Sequence, residues 1–443
     1  MAGTLKEQLK ASVKKIGIWG LGYIGYSSMA HFARNGVKCI GTDVLKEKVD
    51  AVNSGVPPVP NMEYWLGFDV KPLVQAGLMR ATLDWRELIS EEVPVQLVCI
   101  PTEKGAEPYD GILIDVVEKL CHFKNVKMER PPLVIIESTI TPDRVEKVIA
   151  PIMERNGLRI GKDILLGVAP RRDWFVSPEK TLKTLPRVVG GTTPETTDLM
   201  AEVLSIVCDT ILKATDHRHA ALVKSIENAY RHLDIALANQ LSLAYPDVNM
   251  REVLRLVGTK WNVGTYHPSF GTGGYCIPLA PRYVLMGATN PDALTLLKEA
   301  VEFDSDMPLR VVESLVKRGA KKVGILGLAY KGDLKVNILS PTLKIVRGLK
   351  ERGISVKVHD PYYTEEEIRR IAGTETFDYP KGLEEFDTIL IVADHMCYKS
   401  TPVNEIVSNL KNCRLILDNV GIWKDIKFEN IAYYQAGERG WLG

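Results

Sequence analysis

Lys14-Lys15-Ile16-Gly17-Ile18-Trp19-Gly20-Leu21-Gly22-Tyr23-Ile24-Gly25 has the pattern of a short apolar strand that leads into a glycine-rich turn and then a helix. A second apolar strand over residues 37–42 ends at Asp43, 18 residues after Gly25. In this context GxGxxG is typical of a dinucleotide-binding fold: the first glycine makes the tight turn, the second admits the pyrophosphate and the third lets the helix pack on the strand. We therefore expect a dinucleotide at this turn, in preference to a glycine turn without a ligand.

The aspartate at the end of the second strand discriminates between the two nicotinamide dinucleotides. A carboxylate there accepts hydrogen bonds from both hydroxyls of the ribose and repels a 2′-phosphate. The sequence therefore predicts NAD as the cofactor. The cofactor-binding residues expected in this first fold are Gly20, Gly22, Tyr23, Ile24, Gly25 and Asp43.

Composition and charge limit the classes of partner. Among 443 residues, 56 Lys+Arg and 55 Asp+Glu leave a net charge of +1, which predicts no general attraction to nucleic acid or to an anionic membrane. The length favours two or three domains. The seven cysteines include no CxxC pair, so no zinc site is expected, and we find neither a signal peptide nor an apolar run of about 18 residues. These features predict a cytoplasmic protein without a metal.

Polar residues follow two later apolar strands, predicted over residues 95–100 and 133–137. Pro101-Thr102 and Glu137-Ser138-Thr139 stand where a doubly wound sheet binds its ligand. The alternative for the hydroxyl residues is a helix N-cap, because Ser and Thr are common there. We expect Pro101, Thr102, Ser138 and Thr139 near the cofactor.

The middle of the chain has a helical pattern. Residues 194–245 contain no glycine and have Pro194 in the first turn, so we expect one long helix that offers a dimer surface. Lys224 and Asn228 are four residues apart and share one face. A solvated charge is the alternative role for the lysine, although its neighbours are largely apolar.

A second glycine-rich stretch, Phe270-Gly271-Thr272-Gly273-Gly274-Tyr275-Cys276, places a thiol at the end of a loop. Its glycines permit positive φ and close approach of a ligand. A buried structural cysteine is the alternative, because unpaired cysteines are usually buried. The position of the loop between two nucleotide folds favours a thiol that faces a ligand.

Residues 321–331 repeat the strand and glycine turn of the first fold, and a helix over 342–352 and a strand over 354–359 that ends at Asp360 follow. This copy lacks the full glycine set and has Lys331 instead, which predicts binding of phosphate without a dinucleotide. The expected fold is α/β, with two Rossmann-like doubly wound domains joined by a central long-helix domain. The predicted boundaries are 1–193, 194–305 and 306–443.

The order of these motifs resembles the UDP-glucose/GDP-mannose dehydrogenase family over nearly the whole chain. The segments that carry the resemblance are GLGYIG at 20–25, CIPT at 99–102, EST at 137–139, KSIEN at 224–228, GTGGYCIP at 271–278, LGLAYK at 326–331, VHDPY at 358–362 and DNVGIW at 418–423. The form CIPxxP after the glycines is most similar to the branch that oxidises UDP-N-acetylhexosamines.

The resemblance implies a four-electron oxidation of C6 of a nucleotide sugar by two NAD in sequence, for polysaccharide biosynthesis, in a homodimer built on the central helix. It implies Cys276 as the nucleophile, Lys224 as the group that stabilises an alkoxide, and Thr102 as the residue that holds a water near the thioester. Lys331 is expected to contact both cofactor and substrate. The other substrate-binding residues that it implies are Lys224, Asn228, Phe270, Gly271, Gly273, Gly274 and Tyr330.

Three positions depart from the family pattern. Arg171 stands in place of a glutamate that helps to release the thioester, Ala280 in place of an acid that works with the lysine, and Ile338 in place of an arginine that contacts the substrate phosphates. General acid–base groups contribute about 10²- to 10⁴-fold each, so the second half of the reaction should be impaired. Asp173 is a candidate replacement for the glutamate, and Arg171 or Arg172 is a candidate ligand for a carboxylate or phosphate on an altered substrate.

Three hypotheses remain open at this point. The first is a nucleotide-sugar 6-dehydrogenase that uses Cys276. The second keeps the fold but stops at a two-electron oxidation, or returns the hydride to isomerise or epimerise the sugar. The third is a non-catalytic protein that binds NAD and a nucleotide sugar. The sequence leaves open which sugar and which nucleotide are bound.

Overall fold

Packing divides the chain into two compact units. The computed structural model describes residues 3–60, 62–105, 107–172 and 181–443. The first unit comprises Met1–Ile226 and Met286–Thr289, and the second comprises Glu227–Leu285 and Asn290–Gly443. The boundary between them lies within a helix, and the three-domain division at 193 and 305 stays a prediction. Asp173 lies outside the described residues.

The first unit is built on a sheet whose central strands are buried on both faces. The strands of the first unit in chain order are β1 (Ile16–Trp19), β2 (Cys39–Thr42), β3 (Met79–Thr82), β4 (Val95–Val98), β5 (Glu103–Lys104), β6 (Glu107–Pro108), β7 (Leu133–Ile136), β8 (Leu165–Val168), β9 (Arg187–Gly191) and β10 (Ile211–Lys213). Strands β5 and β6, of two residues each, form a separate hairpin. Among the described residues the sheet has eight strands in the order β10-β9-β8-β7-β4-β1-β2-β3. All pairs are parallel except β8 with β9.

Helices cover both faces of this sheet, because alternate side chains of the strands enter two separate apolar clusters, such as Ile18 in one and Trp19 in the other. The helices of the first unit are α1 (Leu5–Lys10), α2 (Tyr23–Arg34), α3 (Lys46–Asn53), α4 (Met62–Leu66), α5 (Lys71–Gln75), α6 (Gly111–Leu120), α7 (Ala150–Arg155) and α8 (Pro194–Leu204). The register aligns Trp19 with Thr42 and Val98, so the residues that follow β1, β2 and β4 meet at one edge.

The long helix predicted over residues 194–245 is wrong in its first part. The structure has α8, then strand β10, and then α9 (His217–Ala244), a helix of 28 residues. The backbone of β10 pairs in parallel with β9, and those ladder hydrogen bonds outweigh the absence of a glycine between the two helices. Strand β10 therefore belongs to the sheet of the first unit.

The second unit repeats the architecture on a smaller scale, as the sequence predicts. Its all-parallel sheet has the order β12-β11-β13-β14-β15, with strands β11 (Lys322–Leu326), β12 (Ser355–His359), β13 (Thr388–Ile391), β14 (Leu415–Asp418) and β15 (Ala432–Gln435). Its helices after α9 are α10 (Met250–Val257), α11 (Ala280–Gly287), α12 (Thr295–Lys317), α13 (Pro341–Glu351), α14 (Glu365–Ala372), α15 (Met396–Ser400) and α16 (Val403–Asn409); the end of α11 lies in the first unit. The α/β fold class, with one mostly parallel and one all-parallel sheet, is confirmed.

Candidate active site

The first glycine turn has the geometry of a dinucleotide site. Gly20 has a φ of 89°, and a Cβ there would lie 2.6 Å from the carbonyl oxygen of Cys99. A Cβ at Gly25 would overlap the carbonyl oxygen of Gly20, so the helix packs on the turn only with glycine there. A Cβ at Gly22 would meet nothing within 4 Å. The open space at Gly22, at the N-terminus of α2, fits a pyrophosphate.

Asp43 fixes the conformation of this turn. Its carboxylate accepts hydrogen bonds from the backbone N–H groups of Leu21 (2.8 Å) and Leu45 (3.1 Å), and Lys48 Nζ lies 3.4 Å from Oδ2. A carboxylate has about four acceptor positions, so acceptors remain for the ribose hydroxyls. Lys48 was not predicted, because a lysine in a surface helix carries no distinguishing sequence signal.

The hydroxyls after β4 and β7 connect the two strand ends to each other. Ser138 Oγ accepts from the N–H of Ile100 (2.9 Å) and donates to the carbonyl of the same residue (2.8 Å), and Thr102 Oγ1 donates to the carbonyl of Thr139 (2.6 Å). None of Thr102, Ser138 and Thr139 is a helix N-cap, because Asp110 stands at the N-cap position of α6 and Arg144 at that of the next helical turn. The N-cap alternative is therefore excluded for them.

Arg171 lies inside the first unit. Its side chain is 2% exposed, and its guanidinium donates to Ser28 Oγ (2.6 Å), Ser27 Oγ (3.2 Å) and the carbonyl of Ile24 (3.3 Å). It also lies 3.9 Å from the buried carboxylate of Glu137. This placement does not support the expected contact of Arg171 with a substrate, because the charged group is enclosed by helix α2 and the end of β7.

Glu137, which the sequence places at a strand end where a ligand can bind, is the centre of this buried network. Its carboxylate accepts from Ser28 Oγ (2.7 Å) and Arg187 Nη2 (2.5 Å), and Cys99 Sγ lies 3.3 Å away. Burial, and then the charge of Glu137, raise the pKa of the Cys99 thiol well above its ordinary value. No sequence signal identified Arg187, because a single arginine in an apolar strand has no pattern of its own.

The second glycine loop is anchored along its whole length within the second unit. The N–H of Phe270 donates to Asn419 Oδ1 (2.8 Å), that of Thr272 to Asp304 Oδ1 (3.1 Å), and that of Gly274 to the carbonyl of Ile338 (2.8 Å). The phenyl ring of Phe270 is fully buried against Trp441, so only its backbone is available to a ligand.

Two glycines of this loop lie against one aromatic ring. A Cβ at Gly273 or at Gly274 would collide with the side chain of Tyr330, and Gly274 has a φ of 86°. The loop thus brings the expected substrate residues Gly271, Gly273, Gly274 and Tyr330 together. Cys276 follows, partly exposed, and its carbonyl accepts the N–H of Ala280 at the start of α11 (3.1 Å).

Cys276 differs in its surroundings from most other cysteines of the chain. Five of the seven are buried, and only Cys276 and Cys397 are partly exposed. Burial raises the pKa of the Cys397 thiol to about 11. Because Cys276 is partly exposed, it does not fit the alternative of a buried structural cysteine.

The residues of the helix motif differ in burial. Asn228 is buried, whereas Lys224 is half-buried and makes no hydrogen bond or ion pair to any residue that the structure describes. Both belong to α9, where a spacing of four places them on one face. The guanidinium of Arg231, one turn further on, donates to Asn228 Oδ1 (3.3 Å).

The second nucleotide fold is closed to a ribose at the position that corresponds to Asp43. Asp360 Oδ2 accepts the N–H groups of Leu328 and Ala329 (both 2.9 Å) and lies 3.1 Å from Nε2 of the buried His395. The Asp360 side chain is fully buried. Lys331 follows this turn, and its pKa is lowered by burial and by the nearby charges of Arg231 and Lys399, against the effect of Asp394.

No helix within the described ranges is both long and apolar enough to cross a bilayer. The same residues contain no group of three or more His, Cys, Asp or Glu side chains arranged to hold a metal ion.

Comparison with known proteins gives matches to all three parts of the chain. Models of the UDP-glucose/GDP-mannose dehydrogenase family match its NAD binding domain to residues 14–207, its central domain to 218–305 and its UDP binding domain to 324–425. The UDP-N-acetyl-D-mannosamine dehydrogenase of Pyrococcus horikoshii is 30% identical over 93% of this chain and 96% of its own length. That of Methanococcus aeolicus is 27% identical over 99% of both chains.

Solved structures agree with these matches. A structure of the UDP-D-ManNAc dehydrogenase from Pyrococcus horikoshii superposes with a TM-score of 0.83 and 28% identity, over 96% of this chain and 99% of the other. The predicted NAD fold and the resemblance noted from the motifs are therefore confirmed. The chain belongs to the UDP-glucose/GDP-mannose dehydrogenase family and is an NAD-dependent oxidoreductase that acts on the CH–OH group of a nucleotide sugar.

Proposed function

We propose that the chain oxidises the C6 hydroxyl of a UDP-N-acetylhexosamine to the uronate, with UDP-N-acetyl-D-mannosamine as the first candidate. The names of the similar dehydrogenases from Pyrococcus horikoshii and Methanococcus aeolicus support this choice of sugar. The observation that carries the proposal is the anchored glycine loop, which ends in the partly exposed Cys276 and packs on Tyr330 beside Lys331.

The cofactor residues fit NAD, because the turn is open at Gly22 and Asp43 retains acceptors for the ribose. NAD, when bound, accepts one hydride in each of the two oxidations. Cys276 adds as the thiolate to C6 of the aldehyde that the first oxidation yields, and after the second oxidation its sulfur holds C6 as a thioester. Attack of water on the thioester gives the carboxylate and returns the thiol.

The helix motif would stabilise charge at C6. The ammonium of Lys224 balances the negative charge that develops on the C6 oxygen. The amide of Asn228 is oriented, because Arg231 donates to its Oδ1 and leaves Nδ2 as the donor for the substrate. The hydroxyl of Thr102 donates to the carbonyl of Thr139, so it would bind a water through its lone pairs.

Spectrophotometric measurement of NADH tests this proposal. The purified protein is incubated with NAD and UDP-N-acetyl-D-mannosamine, and in parallel with UDP-N-acetyl-D-glucosamine, UDP-glucose and GDP-mannose. We expect two NADH for each UDP-N-acetylhexosamine consumed and little activity with the other two sugars. Absence of NADH formation with all four nucleotide sugars would refute the proposal.

A second candidate is an oxidation that stops after two electrons. The observation that favours it is the enclosure of Arg171, with its guanidinium bonded inside the first unit, at a position where the family has a glutamate that releases the thioester. Ala280, the first residue of α11, also offers no acid. One NADH per sugar and an aldehyde product would support this candidate, whereas two NADH and a uronate would exclude it.

A further inference from the structure

Glu103 lies at the ligand edge of the first sheet, beside the threonine that would hold a water. It opens strand β5, which follows the carboxyl end of β4, where a doubly wound sheet binds its ligand. Its Oε2 accepts the backbone N–H of Thr102 (3.0 Å). The hydroxyl of the same threonine donates to the carbonyl of Thr139 (2.6 Å), so its lone pairs would accept from a water. The carboxylate and that water therefore share one residue as their anchor.

Glu103 differs from the other acids that follow strand ends at this edge. Asp43, after β2, lies 3.4 Å from Lys48 Nζ, and Glu137, after β7, forms a buried ion pair with Arg187. Glu103 makes no ion pair with any residue in the described ranges. Its carboxylate is therefore not neutralised by a described cation, in contrast to the other two.

The surroundings of the Glu103 carboxylate increase its basicity. Burial raises the pKa of this carboxyl, and hydrogen bonds from the N–H groups of Thr102 and of Glu103 itself act in the opposite direction. No charged side chain is among the causes of this shift. A general base works best when its pKa approaches the operating pH, so Glu103 is a better proton acceptor than an exposed glutamate.

Release of the product from a thioester requires such a group. A neutral water is a weak nucleophile, and its attack on C6 yields a proton that a positioned base accepts. The cationic Arg171 is enclosed in the first unit, and Ala280 has no acid to offer. A carboxylate beside Thr102 satisfies the requirement, because a base must lie within hydrogen-bond reach of the water that it deprotonates.

We propose that Glu103 is the general base that takes a proton from the water bound by Thr102 when that water attacks the thioester of Cys276. This inference rests on the proposed function, because the thioester is its intermediate. The water oxygen forms a bond to C6 while Glu103 accepts one of its protons, and the C6–S bond breaks with the electron pair on sulfur. The C6 carboxylic acid then loses its remaining proton, Glu103 releases its proton to solvent, and the thiolate is regenerated.

Rapid-mixing measurement of NADH, with UDP-N-acetyl-D-mannosamine and excess NAD, tests the proposal. In E103Q we expect a burst of two NADH per active site, because both oxidations precede hydrolysis. Steady-state turnover should then fall about 10²-fold or more below that of the wild type, and E103D should recover part of it. Intact-mass spectrometry of the stalled E103Q protein should show the oxidised nucleotide sugar attached to Cys276.

Three further measurements separate a base from a structural role. E107Q changes an exposed glutamate of the same hairpin and should turn over within about twofold of the wild type. Hydroxylamine, a nucleophile that attacks thioesters without this base, should release the stalled group from E103Q as a hydroxamate. The steady-state rate of the wild type should rise with pH as Glu103 loses its proton, and E103Q should lack that rise.

Wild-type turnover by E103Q would overturn this inference alone and leave the proposed function standing. Loss of the burst in E103Q with unchanged affinity for NAD would also overturn it, because Glu103 would then act before hydrolysis. Accumulation of the adduct in D173N but not in E103Q would assign the base to Asp173 instead. Absence of NADH formation by the wild type would refute the proposed function, and this inference with it.

Discussion

At the residue scale, Arg171 shows how one substitution is accommodated in the core. A glutamate in the same place would set a second carboxylate near Glu137, and the two like charges would repel in a buried environment. Arg171 instead joins Arg187 in surrounding Glu137, and its hydrogen bonds to Ser27 and Ser28 tie helix α2 to the strand ends. The arginine thus has a structural partner for its charge within the first unit.

Glu137 is the only carboxylate of this network among the described residues, so its removal should strongly destabilise the folded protein. Glu137→Gln removes the ion-pair partner of the buried Arg187, and we expect the free energy of unfolding to fall by about 3 kcal/mol. Glu118→Gln is the matched control, because Glu118 is exposed and its pair with Arg155 is 3.4 Å long, so its effect should stay within about 0.5 kcal/mol. Urea unfolding followed by circular dichroism measures both, and equal stability of the two variants would contradict the network role.

The thiol of Cys276 gives the second prediction at this scale. Cys276→Ser removes the nucleophile, so formation of NADH from a UDP-N-acetylhexosamine should fall on the order of 10³-fold or more. Affinity for NAD should stay unchanged.

Cys397→Ser is the matched control, because Cys397 is the other partly exposed cysteine. We expect its activity to remain within about twofold of wild type. Normal turnover by Cys276→Ser, measured with the same substrate, would show that the thiol takes no part in the reaction.

At the scale of elements, the helices, strands and turns with strong local sequence patterns were predicted correctly. The strand and glycine turn at 16–25 and the repeat at 321–331 were identified because apolar strands and glycines are local signals. Strand β10 was missed, because only its pairing with β9 makes it a strand. The cysteine loop was predicted, but its anchors Asn419 and Asp304 were not, since they are 149 and 32 residues away from the groups they bind.

The glycine loop leads to a prediction about substrate binding. Gly274→Ala forces a side chain into a left-handed backbone conformation, where its Cβ would lie 2.5 Å from Cζ of Tyr330. We expect UDP affinity, measured by calorimetry, to fall about tenfold or more, because the loop or the ring must move. Gly264→Ala is the control, since a Cβ there meets nothing within 4 Å; equal UDP affinity in the two variants would show that the loop does not shape the site.

At the scale of the whole molecule, the two nucleotide folds use one aspartate position in different ways. Asp43 and Asp360 each follow the second strand of a βαβ unit and each accept N–H groups of the glycine turn. Asp43 keeps acceptors for a ribose, whereas Asp360 is fully buried and also bonded to His395. The first fold thus matches an NAD binding domain and the second a UDP binding domain, whereas phosphate binding by Lys331 stays a prediction.

The central helix predicts the oligomeric state. Within the second unit, large apolar side chains are exposed on α9 and on the segment after it, namely Tyr230, Leu237, Tyr245, Leu256 and Trp261. Such a surface is unusual on a monomer, and a stable homodimer would bury about 1,000 Å² or more of it.

We expect light scattering after gel filtration to give twice the chain mass, and Leu237→Glu to give the single-chain mass, because a carboxylate in an apolar interface is desolvated without a partner. Leu296→Glu, at a more exposed leucine of α12 outside this surface, should remain a dimer. A monomeric wild type, or a dimer unaffected by Leu237→Glu, would show that α9 is not the interface.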